Sequence, residues 1–285
     1  MRSTIITAAI NGATVHRAQC ANVPFTPEEI AAEAQRVYDA GAAVVLFHAR
    51  EPGGAVSYRP EQYRAVIEAI RERCPILIAV DTSAFGVSLE DRCAGLEAQP
   101  DLAAVPIGTL SVARYNPGQR SFDYDLVLSN PFSTVVDILR RHRLHQITPI
   151  LTCHDMGHVA ALQPLIEMDV LSGAPHCSLV VGVVGGAPAA PRQLTHLVDM
   201  LPSGSRWEVV CKDDQPWPML AAGCILGGDL RVGLEDSIYL ADGSAVSGNG
   251  DLVERAVALV RTVGGEPANI EEAKRSLIGL ESGRV

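Results

Sequence analysis

The chain alternates short, predominantly apolar runs with longer stretches whose apolar residues recur three to four positions apart. Runs of the first kind fall at 4–10, 43–49, 76–82, 102–107, 147–153, 177–184, 206–211 and 230–235, all rich in Val, Ile and Leu. A run that is apolar at successive rather than alternate positions suits a strand buried on both faces of a parallel sheet. Helical patterns fill the gaps. Thr26-Pro27-Glu28-Glu29 supplies an N-cap, a Pro at the first helical position and the Glu of a capping box, and Gly41 is the stop signal. Tyr63, Val66, Ile67 and Ile70 form one buried stripe, and Leu252, Ala256, Leu259 and Val263 form another near 249–263. Eight strand–helix units of roughly thirty residues each predict a closed (β/α)8 barrel, the TIM barrel. The rival is an open doubly wound sheet, but no GxGxxG follows the first strand run. With no linker or low-complexity segment, the reading is one domain over 1–285, in which 264–285 is a C-terminal helical extension.

Composition narrows the function classes. The 285 residues are 47% hydrophobic and 20% charged, enough for a substantial core, and the formal net charge of −10 argues against a nucleic-acid partner. Arg140-Arg141-His142-Arg143 reads as the solvated side of a helix. Seven cysteines are scattered with no CxxC pair, the pattern of reduced thiols rather than a disulfide framework or a zinc ribbon. Apolar stretches such as 179–184 are far too short to span a bilayer, and Asn11-Gly12 ends 4–10 too early for a secretory signal. A cytoplasmic protein without a membrane partner is the expectation.

In a barrel, chemistry gathers where strands run into the following loops. Those ends carry Asn11 and Thr14; His48, Arg50 and Glu51; Asp81, Thr82 and Ser83; Thr109; His154 and Asp155; Gly185 and Gly186; Lys212, Asp213 and Asp214; and Arg231, Glu235 and Asp236. Burying so many ionisable groups costs free energy unless they pair or bind something. Residues two apart on a strand share a face, so His48 and Arg50 are expected to point together, with Phe47 and Ala49 toward the helices. Arg231, Gly233 and Glu235 are expected to share a face of the eighth strand, and closure of the barrel brings them near His48.

Several segments carry a family resemblance: IITAAINGA at the start, PFTPEEIAAEAQRVYDAGAAVVLFHARE, the GTL at 108–110, LGGDLRVGLEDSIY near 230 and EEAKRSLIGL in the last helix. Together they cover almost the whole length, and the chain resembles the β-keto acid cleavage enzymes. The resemblance implies a (β/α)8 barrel that holds a divalent metal, usually zinc. It implies condensation of a β-keto acid with acetyl-CoA, followed by cleavage to acetoacetate and a new acyl-CoA. His48 matches the second histidine of the family's HxHxR motif and Glu235 its carboxylate, both metal ligands. Arg231 and Asp236 match the pair that serves proton transfer, which we expect from the thioester's α-carbon. Asp81 joins them as a catalytic candidate, and Thr14, Thr82, Gly185 and Gly186 are expected to bind substrate, the two glycines through backbone N–H groups.

The departures are as informative. Leu46 stands where the family has its first metal-binding histidine, Thr14 where it has a glutamate, Asp81 where it has a serine, and Ala104 where a threonine follows the fourth strand. A catalytic zinc usually keeps three protein ligands, and leucine cannot be one. Asp81, His154 and Asp155 are candidates to replace it; an aspartate there would tilt the site toward manganese or magnesium. Three mechanisms therefore stand open. They are a metal-assisted Claisen and retro-Claisen enzyme, a metal-free lyase with Lys212 as Schiff-base nucleophile, and a barrel that binds a keto acid or acyl-CoA without turnover. A cationic or neutral keto acid suits the charges better than a dianionic one. A homodimer or homotetramer is expected by family likeness, with the segment after Gly264 offering surface for a partner.

Overall fold

The computed structural model describes residues 3–171, 173–213 and 215–279. The described residues form ten strands: β1 (Ile6–Ala9), β2 (Val44–Phe47), β3 (Leu77–Asp81), β4 (Leu102–Pro106), β5 (Leu110–Asn116), β6 (Ser121–Leu128), β7 (Thr148–Cys153), β8 (His176–Val181), β9 (Arg206–Cys211) and β10 (Asp229–Val232). Eight of them close into a parallel barrel in the order β1-β10-β9-β8-β7-β4-β3-β2, while β5 and β6 pair as a separate antiparallel hairpin. Every predicted apolar run overlaps a barrel strand, with ends that agree to within three residues. The hairpin was not anticipated. Ala104, expected beyond the fourth strand, instead sits in the middle of β4 paired with Asp81 and Ile150.

The helices are α1 (Pro27–Ala40), α2 (Pro60–Arg71), α3 (Leu89–Cys93), α4 (Phe132–His145), α5 (Met156–Ala160), α6 (Leu162–Glu167), α7 (Pro191–Asp199), α8 (Trp217–Ile225), α9 (Asn249–Thr262) and α10 (Ile270–Leu277). The Thr26–Glu29 capping box forms in both directions at the start of α1, and Gly41 ends that helix in the left-handed conformation. The α2 stripe is buried as read. On α9 the buried stripe is Leu252, Val253, Ala256 and Val260; Val263 falls beyond the helix. His142 of α4 shows what this packing costs at low pH. Burial pushes its imidazole down from 6.5 to about 4, against a smaller pull from the Ile147 backbone. The unfolded chain therefore takes up a proton below 6.5 that the fold refuses until about 4, and stability is lost as pH falls through that window. Urea melts at pH 7 and 4.5 should show His142→Leu flattening this slope by on the order of 2–3 kcal/mol. An unchanged slope would contradict it.

Two apolar regions make up the interior. One lies between strands and helices and contains Phe47, which tilts its ring against Tyr63 of α2 at 5.9 Å. The other lies inside the barrel and joins Ile5, Ala9, Val44, Leu46, Leu77, Ala79, Leu102, Ala104 and Ile150 to Ala273 and Leu277 of α10. The apolar face of α10 thus closes the floor of the barrel. Arg206 on β9 ties that floor together by pairing with Asp229 and donating to the Ser276 hydroxyl.

Candidate active site

The carboxyl ends of β2, β3 and β10 bring His48, Asp81 and Glu235 together. His48 Nε2 lies 3.6 Å from Glu235 Oε2 and 4.0 Å from Asp81 Oδ2, and the three donor atoms fall within 4.8 Å of one another. Asn11, at the end of β1, fixes the imidazole's strand end. Its amide oxygen accepts from His48 N at 2.9 Å and its amide nitrogen donates to His48 O at 2.9 Å, with the whole side chain buried. Each carboxylate has one oxygen anchored and the other turned to the imidazole. Asp81 Oδ1 accepts from Ser83 N at 2.6 Å, and Glu235 Oε1 accepts from Arg231 Nη2 at 2.6 Å. Glu235 Oε2 is buried with no hydrogen-bond partner among the described residues. An orphaned carboxylate oxygen aimed at an imidazole and a second carboxylate is a donor set that fits a divalent cation.

Glu235 arrives by a different route from the one expected. The strand stops at Val232, so period-two alternation does not place it. Gly233 adopts φ +145°, where a Cβ would sit 2.0 Å from Ala9 O, and the chain then turns so that Glu235 N donates to Ala9 O and Asp236 N to Gly233 O. Only a residue without a Cβ fits that crossing. Gly12 plays a matching part across the mouth: a Cβ there would lie 2.7 Å from Glu235 Cγ.

Asp236 follows in the same turn and is clamped. Arg231 reaches it through Nε at 3.0 Å and Nη2 at 2.9 Å, and Lys212 Nζ lies 2.9 Å away. This is a two-pronged guanidinium–carboxylate contact, the strong form of the pair. Burial alone would push the Glu235 carboxyl up, but Arg231, Lys212 and His48 outweigh it and hold it down to about 2. Burial likewise opposes the charge on Lys212, yet Asp236 and Glu235 overcome it and raise its pKa. Two carboxylates at 2.9 and 3.6 Å thus favour the ammonium form of Lys212, which argues against its use as a Schiff-base nucleophile. Beneath Arg231, Glu208 of β9 is fully buried and accepts from Thr7 Oγ1 at 2.8 Å and from the Ser178 hydroxyl. Burial raises its pKa and the nearby Arg231 opposes the rise. Glu208 was missed in the sequence because it lies mid-strand, away from the carboxyl end where chemistry was sought.

A cavity of about 680 Å³ opens above this turn, with Glu235, Asp236, Lys212, Asp213 and the exposed Thr14 on one side and Arg114, Tyr115 and Tyr124 of the hairpin on the other. Several expected site residues do other work. Thr82 Oγ1 donates to Ala104 O at 2.7 Å, away from the cavity. A Cβ on Gly185 would meet Ser111 O at 2.0 Å and one on Gly186 would meet His154 O at 2.8 Å, while Gly186 N donates to Val183 O. These glycines seat the hairpin, which bridges to the same turn through Ala113 and Val184. Arg50 donates to the carbonyls of Gly12, Val15 and Gly54 and stacks over Phe25, shaping the loop after β1 instead of pointing with His48. Asp155 caps α5 through His158 N, and His154 is held neutral by burial, its pKa down to about 3. Neither joins the imidazole–carboxylate cluster. Asp214 lies outside the described residues.

A closed parallel barrel whose carboxyl-end mouth holds a clamped acid pair beside a metal-competent triad defines a TIM-barrel enzyme. The chain belongs to the beta-keto acid cleavage enzyme family, which residues 3–280 match. It is 32% identical over 282 residues to a 3-keto-5-aminohexanoate cleavage enzyme of Acetoanaerobium sticklandii, covering 98% of this chain and 99% of that protein. It is 33% identical over 279 residues to the enzyme of the same name from Fusobacterium nucleatum, covering 97% and 98%. A 3-dehydrocarnitine:acetyl-CoA trimethylamine transferase of Rhizobium meliloti is 29% identical over 290 residues, covering 97% and 96%. Among solved structures, the apo structure of ObcA superposes with a TM-score of 0.72 at 18% identity, which bears on the fold alone; the match covers 90% of this chain and 65% of that one. Among the described residues, no helix is long and apolar enough to cross a membrane.

Proposed function

We propose that the protein exchanges acyl groups between a β-keto acid and acetyl-CoA, releasing acetoacetate and a new acyl-CoA. The observation that carries this reading is the Arg231 clamp. One guanidinium holds Glu235 and Asp236 on a single turn, so a metal-competent carboxylate and a base face the same mouth. Atom balance decides where the proton leaves. Acetoacetate joins the acetyl group to the acid's own carboxymethyl unit, so the nucleophile is the carbon between the acid's carboxylate and keto group, not the thioester's α-carbon. Asp236 would take that proton, with Arg231 and Lys212 orienting it and balancing the charge. The new bond forms from that carbon to the thioester carbonyl. The acetyl C–S bond breaks as the first adduct collapses, and the released CoA thiolate adds to the acid's keto carbon. The bond from the nucleophilic carbon to that keto carbon then breaks, leaving the acid's acyl remainder on the CoA sulfur, and the departing acetoacetate carbanion takes back the proton held by Asp236.

His48 and Glu235 would hold a divalent cation, zinc by the resemblance, which polarises the acid's oxygens and lowers the acidity barrier of the neighbouring C–H. Thr14, uncharged where the resemblance has a glutamate, lines the cavity and would contact the acid's distal end. A cytoplasmic location is supported by seven free cysteines, five of them buried, and a homodimer or homotetramer is our reading of the assembly. The test is an assay for acetoacetate over a panel of cationic, neutral and dianionic β-keto acids with acetyl-CoA. We expect acetyl-CoA-dependent product with a cationic or neutral acid ahead of a dianionic one. Absence of acetoacetate across the panel, with manganese or zinc supplied, would refute the reading.

A further inference from the structure

Building on the reading above, which supplies the cation's role, we infer that Asp81 is the third ligand, relocated from position 46 on β2 to the neighbouring strand. The resulting site, with one nitrogen and two oxygen donors, accepts manganese or magnesium in closer competition with zinc than a two-histidine site would. Four observations carry this. Leu46 points into the barrel one layer below His48 and is packed with Ala79 and Ala104, so nothing at position 46 can coordinate. The β2–β3 register pairs Leu46 with Ala79 and Phe47 with Val80, which sets His48 beside Asp81 on the same inward face. Asp81 in turn pairs with Ala104, whose small side chain leaves room beside the carboxylate. Both acids are oriented the same way, with one oxygen anchored by Ser83 N or Arg231 and the other, Asp81 Oδ2 or Glu235 Oε2, turned to His48 Nε2.

The spacing agrees. Three donors at about 2.1 Å from a common ion lie roughly 3–3.6 Å from one another; the separations from the imidazole are 3.6 and 4.0 Å and all three donors lie within 4.8 Å, so closure on an ion draws the two carboxylates together. Anchoring the outer oxygen of each acid is the arrangement that fixes ligand direction around a metal. Replacing an imidazole by a carboxylate makes the donor set harder, and hard oxygen-rich sets suit manganese and magnesium. Zinc outranks manganese at most such sites in absolute affinity, so the informative quantity is the ratio of the two.

The experiment uses the full chain stripped with chelator and titrated with manganese ion, read by loss of the free-ion EPR signal, and separately with zinc ion by competition. One manganese per chain is expected. Asp81→Asn keeps an acceptor for Ser83 N–H and should weaken manganese binding about tenfold or more with an unchanged circular dichroism spectrum. Leu46→His with Asp81→Ser restores an imidazole and should raise the zinc-to-manganese affinity ratio about tenfold or more over the unaltered chain. Manganese affinity within about twofold of the starting value in Asp81→Asn, an unmoved ratio in the double variant, or no manganese bound by the unaltered chain would each overturn the inference. Acetoacetate formation separates it from the functional reading: turnover without dependence on Asp81 for metal binding sinks this inference alone, whereas stoichiometric metal binding without turnover on any acid sinks the functional reading alone.

Discussion

Arg231→Leu is expected to lower the stability of the fold by about 3–5 kcal/mol, the usual cost of removing one partner from a buried charge cluster. The guanidinium is 4% exposed and sits against Glu235 at 2.6 Å and Asp236 at 2.9 Å, with Glu208 buried in the wall below. Lys212 would be left to balance two carboxylates from a position about one-third exposed. The pH dependence should change with it. Glu235 has a folded pKa of about 2 against an ordinary 4.5, so it contributes stability above 4.5 that is lost as pH falls toward 2. Without Arg231 its carboxyl rises, and that contribution shrinks or reverses sign. Arg231→Lys keeps a charge but not the planar fork, and should fall between the two. Urea unfolding at pH 7 and pH 4 checks all three; a loss below about 1 kcal/mol in the leucine variant would show that the cluster is not held by this residue.

Asp236→Asn should leave a folded enzyme whose kcat is down about 10²–10⁴-fold, the range for loss of a general base. The amide keeps an acceptor for the Arg231 fork but cannot take the proton, so the change falls on the step and not on binding. KM for the keto acid should therefore move little. A KM that rises while kcat stays constant would reassign Asp236 to substrate binding. Exchange of the acid's α-protons with solvent deuterium, followed by NMR without acetyl-CoA, isolates the same step. It should be present in the unaltered enzyme and absent in the variant.

The barrel was legible because its strands are buried on both faces. A continuous apolar run such as 43–47 or 76–80 has few readings other than a central parallel strand, and the caps at Thr26 and Gly41 mark a helix with local chemistry alone. The hairpin was not, for the converse reason. Residues 121–127 are all exposed, and the alternation of Phe122, Tyr124 and Leu126 with Asp123 and Asp125 is a period-two strand signal that a search for continuously apolar runs passes over. Its place is set by contact with the turn at Gly185. Local pattern put Glu235 in the right place by the wrong route, because it is delivered to the mouth by a turn at Gly233, packed on the β1 backbone, and not by the strand itself.

His48, Arg231, Glu235 and Asp236 could be named from the sequence as residues at strand ends bearing a family's motif. Their chemistry depends on side-chain type, which is written at each position. Which candidate stands in for the histidine missing at 46 was not written there. Asp81, His154 and Asp155 have comparable chemistry, and the choice falls to strand register: β3 lies beside β2, whereas Asp155 is used as a helix cap at the far side of the ring. Residues 48, 81 and 235 meet because closure of the barrel sets β10 against β1 and β1 against β2, and a distance imposed by closing a ring leaves no mark in the segments that it joins.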